Sequence, residues 1–200
     1  MKLLSLFSSL IAGALMFAGP ASAGYVVANS GVYYGNSSGT GQGRAQGITV
    51  QSTFSISSVG IYGDLVSQSF DVVIYSSTDG HTAGSVLATA SALTGGTGLG
   101  WNDINIAFTF NAGSAYVVNW RPSAANSSWG SIDYYYDSGL PMVFGPFTLV
   151  EGFHGYNAGS PSNSLHPNLR YQIGDSVPVP GALALLGLGL LGAGAMRRRR

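Results

Sequence analysis

Between Tyr25 and Ile173 apolar residues recur at alternate positions, and the 3.6-residue rhythm of an amphipathic helix is almost absent. Successive side chains of a strand point to opposite faces, so this rhythm demands strands with one face on a core and the other in water. Ile48-Thr49-Val50-Gln51 and Thr53-Phe54-Ser55-Ile56-Ser57 carry apolar residues at even positions and hydroxyl or amide residues at odd ones, and Ile104 to Phe110 repeats the pattern. Phe70 to Tyr75 and Tyr116 to Trp120 are apolar on both faces and suit central strands. Further strands are expected near Tyr25 to Tyr34, Ser85 to Ala92, Ser128 to Tyr136, Phe147 to Phe153 and Asn168 to Ile173. Clusters such as Thr94-Gly95-Gly96-Thr97-Gly98 and Asn157-Ala158-Gly159-Ser160-Pro161 punctuate them with the residues tight turns need. The expectation is an all-β body, a β-sandwich or jelly-roll-like fold, with Ser37 to Gly47 as its mobile loop.

Only 8% of the 200 residues are charged, against roughly 25% in an average domain, so Ser, Thr, Asn and Gly must cover the surface. Four of the eight basic residues stand together at the C-terminal end and Lys2 lies near the start. From Gly24 to Ser176 only Arg44, Arg121 and Arg170 oppose Asp64, Asp71, Asp79, Asp103, Asp133, Asp137, Glu151 and Asp175, which leaves five net negative charges. No basic face for phosphates is available, and nucleic acid is excluded as a partner. Cysteine is absent, which excludes disulfides, thiolate metal sites and a Cys nucleophile. The body must hold together by its core alone, for which about 150 residues in one domain suffice.

The two ends differ from the body. Met1 and Lys2 give a positive start, Leu3 to Phe17 is an apolar run broken only by Ser and Gly, and Gly19-Pro20 precedes Ala21-Ser22-Ala23. Small residues at Ala21 and Ala23 fit the pockets of a signal peptidase. Residues 1–23 are therefore expected to be a secretory signal peptide, handled by the Sec machinery and cut after Ala23. The extracellular β-sandwich domain would occupy 24–176. Beyond it, Val177-Pro178-Val179-Pro180 leads into Gly181 to Met196, which has no charged or strongly polar side chain, and then into Arg197, Arg198, Arg199 and Arg200. An apolar helix over 181–196 would span about 24 Å, short of a hydrocarbon core of about 30 Å, while counting from Val177 gives about 30 Å, enough to span only marginally. Residues 177–200 are thus expected to hold a marginal C-terminal transmembrane helix with its Arg cluster on the cytoplasmic side.

The order of Pro motif, short apolar segment and terminal basic cluster resembles the PEP-CTERM tail of exosortase substrates. Val179 stands where the family's name-giving Glu would be. The resemblance implies a tail that works as an address. The protein would be held transiently at the inner membrane, cut near the Pro motif by an exosortase-type sorting enzyme, and passed to the cell surface or extracellular matrix. Exopolysaccharide is then a candidate partner, and a plain, uncut membrane anchor is the alternative. Within the body, Gly84-Ser85-Val86-Leu87-Ala88, Gly100-Trp101-Asn102-Asp103-Ile104 and Ala112 to Val118 are similar to an uncharacterised extracellular β-sandwich family of secreted bacterial surface proteins, some of them attached to carbohydrate-active modules. That similarity spans Ile56 to Trp120 and assigns no catalytic residue.

No constellation for catalysis emerges from the spacing. His81, His154 and His166 do not pair at i+2 to i+5, so no zinc site is expected. Glu151 and His154 fall on opposite faces of a strand. Asp133 and Asp137 on one strand would lie roughly 13 Å apart, too far for the usual glycosidase pair. The D-x-[DN]-x-[DN]-G calcium loop and the G-x-S-x-G elbow are missing. No catalytic residue, metal or cofactor is therefore assigned, and binding is what remains. Asp133, Tyr135 and Asp137 share a solvent face in a strand whose other face is Ile132, Tyr134 and Tyr136. Flat rings take the C–H faces of sugars while amides and carboxylates take their hydroxyls, so Asn126, Trp129, Tyr135 and Asp137 form the candidate glycan site. Trp101 and Trp120 are expected in the core. The leading expectation is a non-enzymatic structural or interaction role at the cell surface. A carbohydrate-binding module or adhesin comes second, and a small secreted hydrolase a distant third.

Overall fold

The computed structural model describes residues 24–40, 42–125, 127–162 and 164–174. The expected signal peptide, 1–23, and the expected sorting tail, 177–200, lie outside the described residues. Among the described residues no helix is long and apolar enough to cross a membrane.

The alternation becomes strands β1 (Gly24–Ala28), β2 (Tyr33–Thr40), β3 (Arg44–Val50), β4 (Phe54–Leu65), β5 (Gln68–Ser77), β6 (Val86–Thr94), β7 (Gly100–Phe110) and β8 (Ala115–Pro122). They are followed by β9 (Ser128–Tyr136), a single 3-10 turn (Asp137–Gly139), β10 (Met142–Phe144), β11 (Phe147–His154), β12 (Ser160–Pro161), β13 (Leu165–Pro167) and β14 (Leu169–Gly174). Two antiparallel sheets result, and the body is an all-β sandwich. The first sheet runs β1-β14-β4-β9-β13, with β2 also on β9 and β7 on β4. The second runs β10-β11-β3-β8-β5-β6, with β12 on β11.

The core sits where the buried faces of the two sheets meet. Phe54, Ile56, Ile104, Phe110, Trp129, Ile132, Leu169 and Tyr171 of the first sheet pack on Ile48, Phe70, Val72, Ile74, Val118, Trp120, Phe147 and Leu149 of the second. Removing each such side chain from water contributes about 1.5–3 kcal/mol. Phe54 stacks between Phe110 and Phe147, with ring centres 4.9 Å and 5.5 Å away. One polar side chain ties the sheets from within. Gln46 of β3 donates to Ala28 O at 2.7 Å and Pro167 O at 2.8 Å, and its Oε1 accepts from the Tyr171 hydroxyl at 3.0 Å. Every polar atom of that amide is used, which is what makes its burial tolerable. Burial also pushes the Tyr171 phenol far above its usual range, so it remains a neutral donor.

The second sheet has apolar residues on its outer face as well. Ala45, Val73, Tyr75, Val117 and Phe153 are buried there with Ala158, and the partly buried Ala83 packs against them. The turns that carry Ala83 and Ala158 cover them, and the cover is pinned by Asn119 Nδ2 donating to Tyr156 O and by Tyr156 OH donating to Ser123 O. Gly47 is part of that cover's fit, since a Cβ there would collide with Gly80 O. Among the described residues no second buried apolar cluster lies on the outer face of the first sheet.

Two expectations are corrected here. Tyr25 to Tyr34 is not one strand but β1, a turn at Asn29 to Val32 with Gly31 at φ +74°, and the start of β2. Ser37 to Gly47 is not a loop: it holds the end of β2 and the start of β3. A strand of Ser, Gly, Asn and Thr has no apolar alternation to betray it. It is held through its backbone, in register from Asn36 opposite Asp133 to Thr40 opposite Ser128.

Candidate functional site

The outer face of the first sheet is built from the positions of its strands that alternate with the buried ones. On β7, Asn102, Ile104 and Ile106 are buried, so Trp101 and Asp103 point outward. On β14, Leu169 and Tyr171 are buried and Arg170 points outward. Gly60 and Tyr62 of β4, Asp133 and Tyr135 of β9, Tyr33 of β2 and Tyr25 of β1 complete the face. Tyr33 and Tyr25 are 52% and 49% exposed.

These side chains form a connected row. Tyr33 meets Tyr135 edge to face at 5.7 Å, and Tyr62 meets Trp101 in the same way at 5.3 Å. Tyr62 lies close enough to Tyr135 to add to the rise of its phenol, which is driven first by burial and then by the Asp133 carboxylate. Burial also raises the Asp133 carboxyl, against a hydrogen bond from Tyr33 that pulls it back. At the far end the Arg170 guanidinium lies over Trp101 at 4.6 Å and over Tyr25 at 4.1 Å. Its Nε donates to Asp103 Oδ1 at 2.9 Å and its Nη2 to Asp103 Oδ2. A bidentate Arg–carboxylate pair between two rings is a rigid arrangement, worth roughly 0.5–2 kcal/mol per cation–π contact.

Tyr135 is braced from one side by a buried pair. His166 is 0% exposed, lies parallel to the Tyr135 ring at 6.1 Å, and its Nε2 accepts the Ser30 backbone N–H at 3.0 Å. That N–H can only donate, so the proton of a neutral His166 is on Nδ1, which faces Asp137 Oδ1 at 2.7 Å. Ser, His and Asp stand together here without being an activated nucleophile. The contact runs to the serine's main chain, and Ser30 Oγ instead accepts from Val32 N at 3.4 Å. The arrangement clamps the β1–β2 turn.

Of the four residues expected to bind glycan, the structure unites two. Tyr135 and Asp137 are joined through His166. Asn126 lies outside the described residues. Trp129 is corrected: it is 1% exposed and belongs to the core. Gly130, at φ +92°, breaks the alternation, and the β2–β9 register slips between Gly39 and Thr40. Trp129 therefore turns inward although Ile132 does too. Trp101 is the reverse correction: expected in the core, it stands partly exposed on the outer face. Trp120 is in the core. Tyr33, Tyr62, Trp101 and Arg170 were not singled out by spacing, yet carrying the Ile104 parity back three residues puts Trp101 outside. Elsewhere, His81 pairs with Glu151 at 3.1 Å on the surface. Among the described residues no three His, Asp or Glu side chains gather as a metal site would need.

Residues 176–200 match the family model of the PEP-CTERM protein-sorting motif. The chain thus carries the sorting signal of exosortase substrates, which implies export through the cell envelope. No curated protein matches the chain. Among solved structures it is similar to one described as "Structure of infectious bursal disease virus Gx strain", with 14% identity and a TM-score of 0.28 over 89% of this chain and 51% of the other. The chain spans about half the length of that viral one.

Proposed function

We propose that this exported protein, delivered by its PEP-CTERM tail, binds polysaccharide on the outer face of the first sheet and performs no chemistry on it. The observation that carries the reading is the row Tyr33, Tyr135, Tyr62 and Trp101, with Asp133 beside it and the Arg170–Asp103 pair at its end. Half-exposed rings offer apolar area to sugar C–H faces at little entropic cost, and the carboxylates among them accept hydroxyl protons. The low charge of the chain, 8% of its residues, fits a neutral, hydroxyl-rich partner on this face better than a charged one. The outer face of the second sheet is covered over β3, β5, β8 and β11 by its own turns, which favours this one for contact. After sorting, the same face would hold the protein in the surface polymer layer.

The test is affinity electrophoresis of the purified protein through gels containing polysaccharide. Retardation that is lost in Trp101→Ala and Tyr62→Ala supports the reading. Absence of binding to every glycan of a broad array contradicts it. Turnover of a polysaccharide or ester by the pure protein contradicts the non-enzymatic part.

A further inference from the structure

The inter-sheet space ends in a cleft of about 310 Å³, lined by Tyr34, Gln42, Arg44, Tyr134, His154 and Ser162, among others. On β3, Gln46 and Ile48 point into the core, so Arg44 shares their face and closes one end of it. Its guanidinium lies over the rings of Trp129 and Tyr134, 5.5 Å and 5.6 Å from their centres. Nε donates to the Tyr134 hydroxyl, and Nη1 donates to Gly43 O at 3.0 Å and to Gln42 Oε1 at 3.3 Å. The ring stack and these bonds fix the plane of the guanidinium, and among the described residues Nη2 has no hydrogen-bond partner.

Charge makes the cleft unusual in this protein. Arg121 pairs with Asp71 and Arg170 with Asp103. Arg44 pairs with no carboxylate among the described residues, in a body whose acidic residues outnumber its arginines eight to three. Among the described residues no Asp or Glu lines the cleft. Its walls instead offer donors: the Tyr34 phenol, the Ser162 hydroxyl, the Gln42 amide and the His154 imidazole, which stands opposite Arg44 in the sheet. An ordered guanidinium with a free edge is the group that recognises carboxylate best. A volume near 300 Å³ is at the small end of ligand sites.

From this we propose a second binding site, for the carboxylate of an acidic sugar residue such as a hexuronate, with Arg44 as its anchor. The carboxylate replaces the weakly held Gln42 amide on the guanidinium, and Tyr34, His154 and Ser162 meet the ring hydroxyls. The sugar ring rests on the polysaccharide reading given above; the negative charge rests on Arg44 alone. The site lies between the sheets and is separate from the Trp101 face.

The experiment is calorimetric and fluorescence titration of the full chain with oligogalacturonate, with a neutral gluco-oligosaccharide of equal length as control. Oligogalacturonate is expected to bind and to change tryptophan emission in the Trp101→Ala protein, whose outer face no longer reports, and the neutral oligomer to leave that protein's emission unchanged. Arg44→Gln should weaken uronate binding about tenfold or more, the loss of one charge-assisted contact. Gln42→Glu changes only an exposed residue and gives Arg44 an internal carboxylate; it should abolish uronate binding in a folded protein. Trp101→Ala should leave it intact. Equal response of the Trp101→Ala protein to both oligomers, or uronate binding that survives Gln42→Glu, overturns the proposal. Uronate binding lost in Trp101→Ala places the acid on the outer face and overturns it too, while the face reading stands. Loss of the face reading shows separately, as neutral-polysaccharide retardation indifferent to Trp101.

Discussion

Arg170 reaches across the backbone of β4 to hold Asp103 with both arms of its guanidinium, and Gly60 is what leaves the path open. A Cβ on Gly60 would overlap Asp103 Oδ1 and stand 3.0 Å from Arg170 Cγ. Both neighbours are side-chain atoms that can swing away, so the fold survives the change and the pair does not. Gly60→Ala should cost about 1 kcal/mol, the scale of a partly exposed ion pair and one cation–π contact. It should also weaken polysaccharide retardation by freeing Trp101. Urea denaturation and affinity gels on the same variant check both.

Gly47 gives the contrast. There the obstacle to a Cβ is main chain, the Gly80 carbonyl, with the Phe153 ring beside it. Neither a rotamer change nor a small shift of one side chain relieves that contact. Gly47→Ala should lose about 3 kcal/mol or more, the upper range of overpacking. An unchanged denaturation midpoint would mean that the turn covering the second sheet is looser than its packing indicates.

The two tryptophans separate stability from binding. Trp129→Ala removes a fully buried indole and should cost about 3–5 kcal/mol, together with the stack that orders Arg44. Trp101→Ala removes a partly exposed ring, should cost about 1 kcal/mol, and should abolish retardation. Denaturation midpoints and gel mobilities measured side by side check the pair.

These two residues also show what was legible beforehand. Alternation at Ile48 to Ile56 and Ile104 to Phe110 identified strands and their buried faces, because one-sided burial imposes period two. Trp129 defeated the same logic through a single positive-φ glycine, Gly130, which moves one residue across the sheet. β2 escaped because its Tyr-Tyr-Gly-Asn-Ser-Ser-Gly-Thr run pairs by backbone alone. Of the outer face, Tyr135 was readable from its own strand. Its neighbours Tyr33, Tyr62 and Trp101 come from three other strands, and only the pairing brings them together.

His166 holds the turn that supports Tyr135. Replacing it by Leu leaves the Ser30 N–H and the Asp137 carboxylate buried without their partner, and unmade buried hydrogen bonds cost about 1–3 kcal/mol each. His166→Leu should therefore lose roughly 3 kcal/mol and accelerate amide exchange at Ser30. Unchanged exchange at Ser30 would contradict the clamp.

Asp133 ties the face to pH. Burial holds its carboxyl above the ordinary value of 3.8. The folded protein therefore keeps that proton to higher pH than the unfolded chain does. Its stabilising contribution is complete below the unfolded value and is lost as pH rises through the folded one. At pH 7 the charge is a cost, so Asp133→Asn should stabilise the protein at neutral pH, and the gain should vanish below about pH 4. Denaturation at both pH values decides it; an equal gain at each would contradict the assignment.

The central claim is that a sugar-binding sandwich is carried outside by two terminal signals and released there. The intact mass of the protein isolated from its host's envelope or medium tests that claim most directly. The account predicts a chain that lacks residues 1–23 and ends between Val177 and Pro180. A mass that still includes Arg197, Arg198, Arg199 and Arg200 would contradict release by sorting and leave a plain membrane anchor.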